Sequence, residues 1–165
     1  MPEHVWSVLC YKGVLDQYTN QVSLLDVVEN LNLEPDQKLR RASAKDKIVL
    51  DIEMQIVTLW ARSDPTVPEQ FEFRSILVLP DGTEVVPKEV PRAIDLNQHR
   101  RLRLFTRIRG LRFIGVGLYK MLIQWREPDK SDEWTTATTL PLEVMFHEAA
   151  KEPEPEKGSR RKAKK

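Results

Sequence analysis

Apolar and polar residues alternate with a period of two along much of the chain, and this pattern predicts β-strands. The alternation is clearest over residues 50–56, 71–79, 101–109, 119–126 and 140–146. In each stretch one face of the strand would contact a core while the other contacts water. Half-exposed strands of this kind are typical of antiparallel sheets.

Turn signals between these stretches favour an all-β fold. Asp81 and Gly82 separate two apolar runs, and an Asp-Gly pair in that position predicts a hairpin because glycine adopts positive φ without strain. Pro141 lacks the N–H that a central strand donates, which predicts a sheet edge or a bulge there. With further apolar runs near residues 5–11, after Gln21 and at 83–87, the sequence predicts about eight strands in an antiparallel β-sandwich or barrel over residues 4–148.

One segment, residues 22–31, fits two structures. Leu24, Leu25, Val27, Val28 and Leu31 also have helical spacing, and Ser23 with Asp26 resembles a capping pair. The periodicity alone leaves strand and helix equally open.

Residues 15–29, with the sequence LDQYTNQVSLLDVVE, follow a predicted strand that ends in Cys10–Tyr11. This stretch resembles the opening of a family of small bacterial single-domain proteins of unknown function. There an Asp-x-x-Thr-type turn, as at Asp16–Thr19, joins strand one to a Val-Ser-Leu/Ile-Leu/Ile strand, as at Val22–Leu25. Residues 117–125 (GLYKMLIQW) are similar to a later segment of the family. The resemblance covers most of residues 5–147 and implies an immunoglobulin-like or C2-like sandwich with a strand at 22–29, but no catalytic residue and no known activity.

Charge is almost balanced in total, with 26 Lys and Arg against 25 Asp and Glu, but it is unevenly distributed. Residues 96–126 contain eight basic side chains and no acidic one, and residues 157–165 are strongly basic. Residues 149–165 contain no large apolar side chain, so we expect a disordered, charged tail. This uneven distribution, rather than the net charge, carries information about partners.

Location is predicted from what the sequence lacks. A single cysteine, Cys10, forms no intramolecular disulfide, which is typical of a reducing compartment. No run approaches about 18 apolar residues, and the first residues show no signal-peptide pattern. We expect a protein of the bacterial cytoplasm without a membrane span.

Candidate catalytic and ligand-binding motifs are weak. Asp51 and Glu53 share a strand face, as paired carboxylates of glycosidases would, but the wet face of an amphipathic strand has the same pattern. The three histidines lack metal-ligand spacing, and Cys10 within an apolar strand fits a buried side chain. The glycines at 110, 115 and 117 match neither a Walker loop nor a dinucleotide fingerprint and indicate a turn or bulge instead. We therefore expect no catalytic residue, no metal and no cofactor, and we expect the four tryptophans in the core or at its rim.

The basic alternation of residues 101–112 is the strongest functional signal. Arg101, Arg103, Arg107 and Arg109 would form a positive stripe about 25 Å long on one solvent face, interrupted by Phe105 and able to bind an acidic partner, a lipid headgroup or nucleic-acid phosphates. Phe105 and Phe113 would add base stacking if they were exposed. The structural alternative is cross-strand pairing with acids such as Asp51, Glu53 and Glu72, together with protection of a sheet edge. The candidate anion- or partner-binding residues are Arg101, Arg103, Arg107, Arg109 and Arg112, with Arg160 and Arg161 in the tail.

Two function classes follow. The first is a non-catalytic protein-binding or assembly module that contacts itself or another protein through a sheet face or edge. The second is a module associated with nucleic acid or an anionic surface through the arginine-rich strand and the basic tail.

Overall fold

The chain folds into two β-sheets packed face to face. The computed structural model describes residues 1–34, 36–43, 45–64, 66–87, 91–128 and 133–147. Ten strands and one four-residue helix lie in this part of the chain: β1 Pro2–Leu15, β2 Val22–Val27, β3 Asn30–Leu33, α1 Gln37–Arg40, β4 Ile48–Arg62, β5 Gln70–Val78, β6 Glu84–Val85, β7 Arg92–Asp95, β8 Arg101–Phe113, β9 Gly117–Arg126 and β10 Thr135–Phe146. The predicted two-sheet all-β architecture is confirmed, with ten strands rather than about eight.

The first sheet has four antiparallel strands in the order β2–β1–β4–β8. Its long strand β4 follows the predicted alternation, because Met54, Ile56 and Trp60 are buried in the core between the sheets. Leu50 and Ile52 lie on the same face and pack partly buried against that core. A bulge between Leu50 and Glu53 interrupts the pairing of β4 with β8.

The second sheet has six strands in the order β3–β10–β9–β5–β6, with β7 also pairing with β5. Its inner face buries the aromatic side chains of Phe71, Phe73, Tyr119 and Trp125. β3 runs parallel to β10, whereas the other pairs in this sheet are antiparallel. Burial of these large side chains between the sheets is the main favourable contribution to folding.

The predicted turns form where the glycines allow them. Gly82 has a φ of 85° in the hairpin between β5 and β6, and the Leu79 amide donates to the Thr83 carbonyl across it. Gly115 and Gly117 have φ values of 141° and 142° in the turn between β8 and β9. Pro141 lies in β10 opposite Lys120, before the segment that pairs with β3, so the missing N–H breaks no bond to β3.

Residues 22–33 form two strands, which resolves the helix–strand ambiguity in favour of strand. Asp26 adopts a φ of 52° near the end of β2, and Val28 is then buried between the sheets. The Val28 amide donates to the Leu9 carbonyl in the first sheet at 2.8 Å, and the Glu143 amide of the second sheet donates to the Glu29 carbonyl at 2.9 Å. Two consecutive residues therefore join the two sheets along one side, which we call the closed side.

The opposite side, which we call the open side, is bounded by β8 in the first sheet and by β5, β6 and β7 in the second. β8 is the last strand of its sheet and pairs only with β4 among the described residues. The chain does not join the two sheets through consecutive residues on this side in the described ranges.

The end of the β1–β2 hairpin, beyond the last β1–β4 pair at Cys10, folds over the outer face of the first sheet. The Gly13 amide donates to Gln55 Oε1 at 3.0 Å, and a Cβ at Gly13 would lie 2.8 Å from the Phe105 ring and 2.9 Å from Val57. Only a glycine fits this approach, because real Cβ atoms do not come so close to neighbours. Val57 and Cys10 are consequently buried although they lie outside the core between the sheets.

The predicted tail, residues 149–165, lies outside the described residues. The one described helix, α1, is far too short to cross a bilayer, and no described helix is a candidate membrane span.

Candidate functional site

A cavity of about 590 Å³ opens on the open side of the sandwich. Seven consecutive residues of β8, from Thr106 to Arg112, line one wall. The other wall consists of residues 73–75 and Leu77 of β5, with Val85, Pro87, Pro91 and Arg92. Pockets that bind peptides or small ligands commonly have this volume and this mixture of apolar surface and a few polar groups.

The wall from β8 exposes backbone hydrogen-bonding groups. The Arg62 amide donates to the Arg100 carbonyl at 3.1 Å, and this pair continues the β4–β8 register. Hydrogen-bonded pairs alternate along an antiparallel ladder, so Thr106 and Ile108 also bond to β4. The N–H and C=O groups of Arg107 and Arg109 therefore point away from β4, toward the open edge.

The wall from β5 contains a gap in its hydrogen bonding. Here β7 pairs with β5 only over Gln70–Phe73, and β6 pairs with it only at Leu77 and Val78. The Leu96 amide donates to the Glu69 carbonyl, and the Leu79 amide donates to the Thr83 carbonyl. Because hydrogen-bonded positions alternate along an antiparallel ladder, the odd-numbered residues of β5 direct their backbone groups toward β6 and β7. The backbone N–H and C=O of Ser75 thus point into the space between β6 and β7, and no described strand pairs with them there.

The interior of the cavity is apolar. Met54, Phe73, Leu77, Leu111 and Met121 line it, and all five belong to the core between the sheets. A side chain that entered would therefore contact the core directly, and apolar burial would favour an apolar one.

The mouth of the cavity is cationic. Six basic residues line the cavity and no described acidic residue does: Lys47, Arg74, Arg92, Arg107, Arg109 and Arg112. Arg74 Nε donates to Gln124 Oε1 at 2.9 Å, and its guanidinium lies 4.0 Å from the centre of the Trp134 ring. Arg107 Nε lies 3.0 Å from Glu53 Oε1, and both side chains are more than half exposed. Within the described residues, no hydrogen bond or ion pair engages the side chain of Lys47, Arg92 or Arg109.

Arg92 has a favourable position for a ligand in the cavity. It pairs with Phe73 across β7 and β5, so the two side chains lie on the same face of the sheet, the face turned toward the cavity. Because this is the open side, Arg92 remains exposed. Arg112 contributes a further charge, and its proximity helps to lower the pKa of Asp81, which is lowered mainly by the backbone amide of Thr83.

The structure divides the predicted arginine stripe. Arg101, Arg103, Arg107 and Arg109 all face outward in register with β4, but only Arg107 and Arg109, together with Arg112, line the cavity. Arg103 is half-buried, and its Nη1 donates to Asn20 Oδ1 at 3.1 Å in the β1–β2 turn. Glu53 pairs with Arg107, as the structural alternative predicted, whereas Glu72 pairs with Arg126 at 2.6 Å. Arg160 and Arg161 lie outside the described residues.

The two phenylalanines do not form a stacking surface for bases. Phe113 is fully buried in the core, and its ring contacts that of Phe146. Phe105 is half-buried and packs against Gly13. The condition for base stacking is thus not met at either position.

The other candidate chemical groups are dispersed or packed. Asp51 lies within the β4 bulge and Glu53 at its end, and both are exposed. Burial raises the pKa of the Cys10 thiol and lowers the pKa of His4, whose ring contacts Trp60 and whose Nε2 lies 2.7 Å from Ser7 Oγ. The described residues contain no group of three or more His, Cys, Asp or Glu side chains placed to hold a metal ion.

Two of the four tryptophans are core residues, Trp6 is half-buried in β1, and Trp134 belongs to a separate outer cluster. Trp60 and Trp125 are buried, whereas Trp134 lies over the guanidinium groups of Arg74 and Arg126 on the outer face of the second sheet. This stacking holds the Arg74 guanidinium against the outer face of the second sheet.

Lys47, Arg74 and Arg92 join the cavity without any local sequence signal. They come from three separate parts of the chain and meet β8 only because β5 and β7 lie opposite it. Comparisons with protein-family models, curated proteins and solved structures found no match to this chain. The geometry of the cavity is therefore the basis for assigning a function.

Proposed function

We propose that this chain is a non-catalytic protein-binding module that accepts an extended segment of a partner along the free edge of β8. The single observation that carries the proposal is the direction of the Arg107 and Arg109 backbone groups, which point from the edge of β8 at the open cavity. A peptide strand gains main-chain hydrogen bonds at such an edge, and pockets beside it select alternate side chains. We place the module in the bacterial cytoplasm and in an immunoglobulin-like or C2-like sandwich as parts of the same proposal.

Proline scanning along β8 tests this proposal. Nonapeptides selected from a displayed library against the full chain should bind the Arg107→Pro variant at least about tenfold more weakly, because the substitution removes an outward N–H and leaves the β4 ladder intact. Arg107→Ala separates the loss of the charge from the loss of the N–H. Arg101→Pro is the matched control, since it also removes an outward N–H from β8 but does not line the cavity.

Two results would contradict the proposal. Selected peptides that bind Arg107→Pro as tightly as the parent chain do not use this edge. A library that yields no binder at all shows that the edge does not accept extended peptides.

A second candidate function is association with nucleic acid or an anionic surface. It is favoured by the six basic residues at the cavity and by exposed Arg101 on the same strand. Against it stand the packed positions of Phe105 and Phe113, which remove the stacking contribution common in single-strand binding.

Fluorescence anisotropy with labelled DNA and RNA at two salt concentrations tests this candidate. Replacing Arg101, Arg109 and Arg112 with alanine should weaken binding to every sequence and lower the salt slope by about one for each phosphate that an arginine no longer neutralises. Arg103 and Arg107 stay unchanged because they contact Asn20 and Glu53. An unchanged affinity excludes Arg101, Arg109 and Arg112 as the binding surface.

A further inference from the structure

We infer that the segment bound at β8 alternates acidic and apolar side chains, with the apolar ones entering the cavity and the acidic ones facing the β8 arginines. The inference rests on the proposed function and specifies the partner's chemistry. It follows from the two faces of the edge strand, which differ sharply at the cavity.

One face of an added strand would meet the core. A strand paired with β8 places every second side chain on the face shared with Thr106 and Ile108, which is the face turned toward the second sheet. These side chains would lie over Met54, Phe73 and Leu77, where the cavity supplies apolar surface. Apolar residues are therefore favoured at alternate positions of the bound segment.

The other face of the added strand would meet guanidinium groups. Residues opposite Arg107 and Arg109 share their outward face, and opposite charges on directly paired residues stabilise a sheet. No described ion pair engages Arg109, and the Arg107–Glu53 pair is exposed enough to exchange for a carboxylate of the partner. Acidic residues are therefore favoured two positions apart, and Arg92 adds a further positive charge at the cavity.

The same charges disfavour a second copy of the chain as the occupant. Two β8 edges paired about a two-fold axis would bring arginines opposite arginines, and directly opposed like charges are destabilising. An acidic external segment has the complementary charge. The chain's own acidic run, with Glu152, Glu154 and Glu156, has it too and lies outside the described residues.

Four labelled nonapeptides titrated against the full chain test the inference by fluorescence anisotropy. They are alternating Glu-Leu, alternating Gln-Leu, alternating Lys-Leu, and a peptide with the Glu-Leu composition rearranged into blocks of two. We expect the alternating Glu-Leu peptide to bind most tightly, the Gln-Leu peptide about tenfold more weakly, and the other two more weakly still.

Two substitutions locate the acidic contacts. Combining Arg107→Gln with Arg109→Gln should reduce the advantage of the Glu-Leu peptide over the Gln-Leu peptide to about twofold, because the guanidinium groups opposite the glutamates are gone. Arg101→Gln, on the same strand and face but away from the cavity, should leave the advantage unchanged.

The outcomes separate this inference from the proposed function. Equal binding of the Glu-Leu and Gln-Leu peptides, both lost in Arg107→Pro, overturns the acidic preference and leaves the edge-binding module standing. Binding of none of these four peptides by a chain that still binds library-selected nonapeptides overturns the inference alone, whereas a chain that binds neither set overturns both. A gain of tenfold or more in Glu-Leu affinity when Glu152, Glu154 and Glu156 are replaced with Gln in the full chain would assign the edge to the chain's own acidic run, and would overturn the external partner.

Discussion

The two sides of the sandwich differ in whether the backbone groups at the sheet edges have hydrogen-bonding partners. On the closed side, Val28 and Glu29 bond to β1 in one sheet and to β10 in the other, so the chain itself seals the core. On the open side, β8 has no described second neighbour, and its backbone groups face a cavity. Exposed strand edges invite pairing with other chains, and here arginines rather than a covering strand lie at the edge.

We therefore expect the closed side to determine the free energy of unfolding and the open side to determine binding of a partner. Residues of the closed side contribute packing that folding requires, and substitutions there should act on the free energy of unfolding. Residues that turn outward on the open side contribute little to the sandwich itself, so substitutions there should act on binding. Three measurements test that division, from the largest expected effect to the smallest.

Replacing Leu31 with alanine should have the largest effect. Leu31 is buried on β3 of the closed side, and truncation of a buried leucine costs about 2–5 kcal/mol. Val27→Ala, four residues earlier on β2 and 56% exposed, is the control and should cost less than about 0.5 kcal/mol. Urea unfolding followed by tryptophan fluorescence measures both, and equal costs would show that the closed side does not seal the core.

Proline at two neighbouring positions of β8 should have an intermediate effect. Thr106→Pro removes an N–H that bonds to β4, whereas Arg107→Pro removes one that points outward, so the first should cost about 1–3 kcal/mol more. Thr106→Ala and Arg107→Ala account for the lost side chains. The free energy of unfolding of all four variants provides the comparison. A larger cost for Arg107→Pro would reverse the alternation on which the binding edge depends.

Lowering the pH should have the smallest effect on the free energy of unfolding, and this effect should arise at His4 in β1. Burial lowers the pKa of His4, so the unfolded chain takes up a proton near pH 6.5 while the folded chain still holds His4 neutral. The contribution of His4 to the free energy of unfolding is therefore fully present above that pH and is lost as the pH falls below it.

The His4→Gln variant isolates this contribution. Its free energy of unfolding should fall less between pH 7.5 and pH 5 than that of the parent chain. An identical slope for the two chains would mean that other groups carry the pH dependence.

Much of the sandwich could be predicted because alternation reports which face of a strand is buried. It identified β4, β5, β8, β9 and β10, and the Asp81–Gly82 pair identified a hairpin. The parallel pairing of β3 with β10 could not be predicted, since it depends on where Val28 crosses between the sheets. Local pattern contains no information on such a crossing.

The candidate site was predictable only along a single strand. Arg107 and Arg109 follow from the alternation of β8, whereas Arg112 lies beyond Gly110, where the alternation changes phase. Arg103 differs from them because the β1–β2 turn reaches it through Asn20. Arg92 faces the cavity because β7 pairs with Phe73, which is a contact between distant parts of the sequence. Convergence of this kind requires the tertiary structure.

The buried position of Cys10 gives the protein a built-in reporter of local opening. Cys10 is fully buried although it lies outside the core between the sheets, and it pairs with Val27 in the β1–β2 hairpin and with Gln55 in β4. Because Cys10 is fully buried, a thiol reagent reaches it only when this region separates from β4, and burial also raises the pKa of the thiol. The labelling rate therefore measures how often the hairpin detaches while the rest of the sandwich stays folded.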